Sequence, residues 1–313
     1  MRILVAVADA VERLSLESLL REWGYDVTAA AEGQQALEAF NNQQPPVLAL
    51  LDWNLPGMEG PRLCRRLRNR SLGPYVYVIL LGEPGMDQDN LAALEAGADD
   101  FIQNPLDQPA LRLRLRAADH ILALQHNLLQ SRQALEYKAT HDELTGLWNR
   151  AEVLGLLERD IARSQREGTP VSIIMIDVDH FKMVNDALGH VGGDEALRQI
   201  TARMAACVRP YDGFGRYGGE EFLVVLSGCS GNNAARLAQR LCDEVSAAPV
   251  QIEASEVAVS ISLGVATWNT DHGDMQALIR AADAALYQAK KAGRNMVQLA
   301  WEEARGVSRD EAA

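Results

Sequence analysis

Arg216-Tyr217-Gly218-Gly219-Glu220-Glu221-Phe222 reads as a hairpin: two glycines allow a tight turn and close approach by a ligand, and the apolar run Phe222–Leu226 follows. Upstream, the apolar run Val171–Asp177 leads into Met175-Ile176-Asp177-Val178-Asp179, a strand end carrying two acids. Further strand-like runs, Gln251–Glu253 and Val257–Ala266, are interleaved with helix-like segments at Arg150–Glu167, Gly193–Cys207, Asn232–Ala247 and Met275–Ala292. This alternation with hairpin signals predicts an α+β domain on a mostly antiparallel sheet over residues 141–300, followed by a polar tail at 301–313. Carboxylates at such strand ends suit a hard cation. Mg²⁺ takes one or two carboxylates plus phosphate oxygens, so two acidic clusters on adjacent strands fit metal-assisted phosphoryl transfer.

Residues 1–106 follow another rhythm. Strand-like segments at Arg2–Val7, Asp26–Ala29, Val47–Leu51, Tyr75–Leu81 and Asp100–Ile102 alternate with amphipathic segments such as Val11–Trp23, Gln34–Asn41 and Pro61–Arg68. The third and fourth are nearly continuous apolar runs, as expected of parallel strands covered on both faces. The prediction is a doubly wound α/β domain with functional loops at the carboxyl ends of its strands, where Asp9 and Asp52 fall. Between the domains, 107–140 lacks glycine and keeps Ala117, Ile121, Leu124, Leu128, Ser131 and Leu135 in heptad spacing. A second track, Leu115, Leu122 and Leu129, widens the stripe. A helical stalk that pairs with a partner's copy is expected, against the alternative of a helix packing back on its own domains.

Composition narrows the class. With 313 residues, 48% hydrophobic and 23% charged, the chain has room for two full cores and the balance of a soluble protein. No apolar run approaches the ~18 residues that span a bilayer, and the N-terminus lacks a signal-peptide pattern. A cytoplasmic protein without membrane insertion is expected. The four cysteines have no C-x-x-C spacing, which argues against a zinc site or a disulfide framework. A net charge of −13 argues against a nucleic-acid polymer as partner, yet leaves room for a nucleotide met by a metal and a few bases.

Those bases are present. Lys182, Lys290 and Arg294 can neutralise a triphosphate, while Asn185 and Asp194 offer the amide and carboxylate that pair with a guanine edge. Together the motifs are similar to those of the GGDEF family, with the hairpin in its Gly-Gly-Glu-Glu-Phe form. The resemblance runs from Asp142-Glu143-Leu144-Thr145-Gly146-Leu147-Trp148-Asn149-Arg150 through Asp177–Asp186 and Gly189–Asp194 to Ala289-Lys290-Lys291-Ala292-Gly293-Arg294-Asn295. It implies a diguanylate cyclase that joins two GTP into cyclic di-GMP and two pyrophosphates, working as a homodimer or higher homo-oligomer. It further implies that Asp177, the Val178 carbonyl and Glu220 bind Mg²⁺ (or Mn²⁺), with Glu221 as a further ligand or support. Asn185 and Asp194 would read guanine, and Lys182, Lys290 and Arg294 would hold phosphates. Glu220 is the candidate for helping to deprotonate the attacking 3′-hydroxyl. Arg209 and Asp212 in Arg209-Pro210-Tyr211-Asp212 stand where the family's product-inhibition site is expected, with Arg240 as a second contact and Arg236 one turn away. The competing reading is a catalytically silent cyclic di-GMP sensor or scaffold, but such domains usually lose the hairpin acids kept here.

Residues 1–106 resemble a response-regulator receiver, a flavodoxin-like fold. Leu50-Leu51-Asp52-Trp53-Asn54-Leu55-Pro56-Gly57 is its phospho-acceptor strand and loop, with Asp52 at the acceptor position. Much of the accompanying machinery is missing. The acidic pair expected after the first strand is reduced to Asp9 in Val7-Ala8-Asp9. Leu81-Gly82 replaces the expected hydroxyl residue, and Asn104 stands for the lysine before Pro105. A pseudo-receiver that docks or assembles is therefore expected.

Overall fold

The computed structural model describes residues 1–69, 73–82, 92–103, 107–252, 255–268 and 274–300. The chain forms two compact units, one from Met1 to Arg132 and one beginning at Gln133.

In the first unit, β1 (Arg2–Ala6), β2 (Asp26–Ala30), β3 (Leu48–Asp52), β4 (Tyr77–Gly82) and β5 (Asp100–Gln103) form an all-parallel sheet in the order β2-β1-β3-β4-β5. Successive side chains alternate between two buried layers. Leu4, Ala49, Leu51, Val78 and Leu80 meet α2 (Gly33–Ala39) and α3 (Gly60–Arg68). Ile3, Val5, Leu48, Leu50, Ile79 and Leu81 meet Leu16 and Leu20 of α1 (Ala10–Glu22). Covering both faces is what makes these strands continuously apolar.

The helix α4 (Gln108–Thr140) is 33 residues long and carries two stripes with different fates. Leu111, Leu115, Ala118 and Leu122 are buried in the same layer as Leu16 and Leu20. Tyr25 donates its hydroxyl proton to Asp119 (2.6 Å), and Arg114 pairs with Asp100 (2.8 Å), fixing this half of the helix to its unit. The heptad residues Ile121, Leu124, Leu128 and Leu135 instead lie 44–69% exposed. Of the second track, Leu115 and Leu122 are buried and Leu129 is exposed.

The second unit centres on β6 (Val171–Val178), buried along its whole length. With β7 (Gly213–Gly218), β8 (Glu221–Ser227), β11 (Ile261–Thr267) and β12 (Val297–Leu299) it forms a sheet in the order β12-β11-β6-β8-β7, antiparallel except where β12 pairs with β11. The strands β9 (Val250–Ile252) and β10 (Ser255–Val257) form a separate ribbon. Helices α6 (Phe181–Cys207) and α7 (Gly231–Ser246) cover Ile174, Ile176, Phe222 and Val224. Helices α5 (Arg150–Glu167) and α8 (Met275–Ala292) cover Ile173, Met175, Leu223 and Val225 on the other face.

Three local expectations are refined. The strand expected at Val257–Ala266 is two elements: Val257 ends β10, and β11 starts at Ile261. An edge strand extends back from the hairpin to Gly213, where added Cβ atoms at Gly213 and Gly215 would overlap Leu156 and Val153 of α5. Helix α6 starts at Phe181 rather than Gly193 and bends at Gly189, whose φ is 70° and ψ 172°. Gly192 and Gly193 lie within this helix where only hydrogen fits: Cβ atoms would overlap Leu188 and the Asn185 amide.

Candidate active site

Strand pairing gathers the acids at one end of the second sheet. Asp177 lies opposite Glu221, and the Val178 N–H donates to the carbonyl of Glu220 (3.2 Å). Asp177 is only 7% exposed, and its carboxylate pairs with the Lys290 ammonium at 2.7 Å. Burial pushes the Asp177 carboxyl above its ordinary range; Asp179 adds to the rise, whereas Lys290 and Arg294 draw it back. Burial likewise raises Glu220, reinforced by Asp177 and Glu221 and opposed by Lys290. Asp177, Glu220, Lys290 and Arg294 thus share one electrostatic neighbourhood.

Lys182 is exposed in the first turn of α6, Asn185 is half-buried and Asp194 exposed. Among the described residues these three side chains make no salt bridge or side-chain hydrogen bond, so their donors and acceptors are open to a ligand. The Asn185 amide lies over Gly193, which places it next to Asp194.

Asp179, the second acid after the apolar run, is held by donors of the fold itself. Its carboxylate accepts from the hydroxyls of Ser260 and Ser262 (2.7 Å each) and from the Asn295 N–H (3.0 Å). It therefore anchors the turn in which Arg294 and Asn295 hold positive φ of 65° and 48°. In an extended strand Asp177 and Asp179 would share a face, but β6 ends at Val178 and His180 adopts φ 54°, so that parity breaks.

Arg216, quoted in the hairpin motif but given no role there, clamps the turn. Its Nε and Nη2 donate to the Gly219 carbonyl (3.0 and 2.7 Å), and Nη1 donates to Asp142 (3.1 Å). Burial alone would raise Asp142, but the Thr145 hydroxyl and N–H and the Arg216 guanidinium outweigh it and hold the carboxyl below its usual range. Asp142 lies far from Arg216 in sequence, so no local signal joins those two.

Arg209, Asp212 and Arg240 line one cavity of about 340 Å³, together with Arg236, Cys207 and Cys229. The Asp212 N–H donates to the Arg209 carbonyl (3.0 Å), and Arg240 donates to the Cys207 carbonyl (2.6 Å). Arg236 is thus a further cation of this cavity.

In the first unit, Asp52 ends β3, half-buried, and accepts long contacts from the N–H groups of Ala8 (3.4 Å) and Asn54 (3.3 Å). Asp9 is the N-cap of α1, accepting from the N–H groups of Val11 (2.9 Å) and Glu12 (2.8 Å). Arg13 donates to the Val7 and Ala8 carbonyls (2.7 and 3.1 Å). Leu81 is core, and the Phe101 ring lies where a Cβ on Gly82 would be. Asn104 and Pro105 lie outside the described residues.

Among the described residues no group of three or more His, Cys, Asp or Glu side chains is disposed to hold a metal, and no helix is long and apolar enough to cross a membrane. A palm of antiparallel strands with acids beside a glycine turn, joined in sequence to a parallel α/β unit, defines the class. The chain belongs to the GGDEF diguanylate cyclase family: residues 139–296 match the diguanylate cyclase GGDEF domain, and residues 3–116 match the response regulator receiver domain. Response regulator PleD of Caulobacter vibrioides is 32% identical over 302 residues, covering 94% of this chain and 65% of PleD. Diguanylate cyclase DosC of Escherichia coli is 43% identical over 159 residues, covering 50% of this chain and 34% of DosC. The chain therefore spans less than two-thirds of either relative. The coiled coil and GGDEF domain of DgcB from Caulobacter crescentus, solved in complex with c-di-GMP, is similar with a TM-score of 0.55 and 29% identity, over 60% of this chain and 98% of that one.

Proposed function

We propose that this chain is a diguanylate cyclase organised as a receiver-like domain (1–106), a stalk (107–140) and a cyclase domain (141–300). The observation that carries the reading is the meeting of Asp177 on β6 and Glu220 in the turn before β8 with Lys290 and Arg294. The donor set fits Mg²⁺ or Mn²⁺: two carboxylates and the Val178 carbonyl are hard oxygen ligands, and substrate phosphates complete the shell. Such a metal, when bound, neutralises phosphate charge and favours ionisation of the attacking hydroxyl.

The protein's own groups do the rest. Asn185 and Asp194 pair with the guanine edge, and Lys182, Lys290 and Arg294 hold the triphosphate. Glu220, whose raised carboxyl is better matched to proton transfer than an ordinary glutamate, accepts the 3′-hydroxyl proton. The 3′-oxygen then bonds to the α-phosphorus of a GTP held by a second subunit, pyrophosphate leaves, and a second round closes the ring. Two loaded domains must face each other, and the exposed heptad residues of α4 supply a means of pairing them. Incubating the protein with GTP and Mg²⁺ should yield cyclic di-GMP and pyrophosphate by mass spectrometry. Unconsumed GTP with a folded, dimeric sample would overturn the reading.

The Arg209–Asp212 cavity supports product feedback, with guanine and phosphate of cyclic di-GMP gripped by its arginines and carboxylate. Arg209→Ala should keep the initial rate and lose inhibition by added cyclic di-GMP, because a charge-assisted contact disappears away from the substrate groups. Unchanged inhibition constants would leave Arg209 a surface residue only.

We further propose that the N-terminal unit is a pseudo-receiver. The Asp9 carboxylate is engaged in capping α1, and at Gly82, the last residue of β4, the Phe101 ring takes the space a side chain would occupy. Beryllofluoride or acetyl phosphate should change neither activity nor assembly, and Asp52→Asn should be nearly silent. A phosphate-mimic response abolished by Asp52→Asn would restore the receiver to a switch.

A further inference from the structure

We infer that Lys290 is a displaceable internal counter-ion, which occupies the metal's place at Asp177 and makes the divalent cation enter with the triphosphate rather than ahead of it. This rests on reading the site as a metal–nucleotide site. The Lys290 ammonium sits 2.7 Å from Asp177 Oδ2; the lysine side chain is 32% exposed and the aspartate side chain 10%. The cation is therefore the solvent-side member of the pair. It is carried on a flexible stem from the last turn of α8 and can swing outward without moving the backbone.

A free divalent cation meets two obstacles at Asp177. It must displace an ammonium already in contact with the carboxylate, and then tolerate that ammonium, along with Arg294, beside its own charge. A cation arriving with a nucleotide meets neither obstacle. The triphosphate brings more negative charge than the metal neutralises, so the ammonium exchanges a carboxylate oxygen for a phosphate oxygen. Metal and nucleotide then bind with positive coupling, and each raises the other's affinity by the same factor.

The test is Mn²⁺ titration of the full chain followed by electron paramagnetic resonance, first without nucleotide and then with a non-hydrolysable GTP analogue. Without nucleotide, Lys290→Met should bind Mn²⁺ about two- to fivefold tighter than the unaltered protein, the scale of one partly exposed ion pair. Asp177→Ala should abolish that gain. The analogue should raise Mn²⁺ affinity strongly in the unaltered protein and much less in Lys290→Met. If Lys290→Met binds free Mn²⁺ no tighter, or neither protein binds it, the inference falls. Lys290→Gln provides the same comparison should the methionine variant fail to fold by circular dichroism. The readout involves no turnover. A silent enzyme with the predicted Mn²⁺ order would sink the cyclase reading alone, and an active enzyme without that order would sink this inference alone.

Discussion

Glu220→Ala and Asp177→Ala should each lower cyclic di-GMP formation roughly a thousandfold or more at saturating GTP, about 4 kcal/mol of transition-state stabilisation. The fold should survive both changes. Asp177 is buried at a strand end, but its partner Lys290 retains solvent access, so no isolated charge is left sealed in the core. Thermodynamic linkage points the same way. Both carboxyls have folded pKa values raised above their unfolded values, chiefly by burial. For an acid this is a stability cost, present above the folded pKa and relieved as pH falls through it. Removing either carboxylate should therefore leave the melting temperature at neutral pH unchanged or slightly higher. On the proposed mechanism the ionised forms hold the metal, so the acid limb of kcat/KM, which reports the free enzyme, should lie above the ordinary carboxylate value of about 4. Initial rates by pyrophosphate release, paired with thermal melts, check both halves. Near-normal turnover in either variant would remove the acids from the chemistry.

Leu128→Pro should reduce specific activity about tenfold or more at low protein concentration, with partial recovery as concentration rises. Leu128 lies on the exposed part of α4, 69% accessible, so the substitution spares both cores. A proline within the helix removes a backbone hydrogen bond and kinks it, at roughly 3 kcal/mol. On the proposed mechanism, two GTP-loaded domains then lose the tether that would raise their effective concentration. Sedimentation velocity should show a shift toward monomer in parallel. Leu128→Ala, which keeps the helix but trims one seam residue, should show a smaller effect of the same sign. An undiminished rate at low concentration would mean that the stalk plays no part in pairing.

What could be read in advance divides along physical lines. Runs such as Val171–Asp177 were legible because a strand buried on both sides must be apolar throughout. Asp177 and Glu220 were legible as candidates because acids after an apolar run and beside glycines have few structural uses. The task of Asp179 was not, since its partners Ser260, Ser262 and Asn295 are distant in the chain. The helix-like run could be read only from Gly193 onward, because the glycines before it are poor helix formers, whereas in the structure Gly192 and Gly193 leave room within α6 for Leu188 and Asn185. Arg216 was visible and its task was not, because the Asp142 it grips is distant in the chain. Along α4 both apolar stripes could be seen, yet which one faced its own unit depended on three-dimensional packing.

That division of α4 bears on how such proteins are spliced together, by evolution or by design. Leu111, Leu115, Ala118 and Leu122 complete the α/β core, so a crossover placed just after β5 would strip one partner of part of its interior and leave the other with an oily, orphaned face. A breakpoint beyond Leu122 falls where the helix is solvated, and there an unrelated sensory module could be fused without either half losing core. The only remaining constraint at such a junction is phase: the incoming helix must keep Leu124, Leu128 and Leu135 on one line, because each added or deleted residue rotates everything downstream by about 100°.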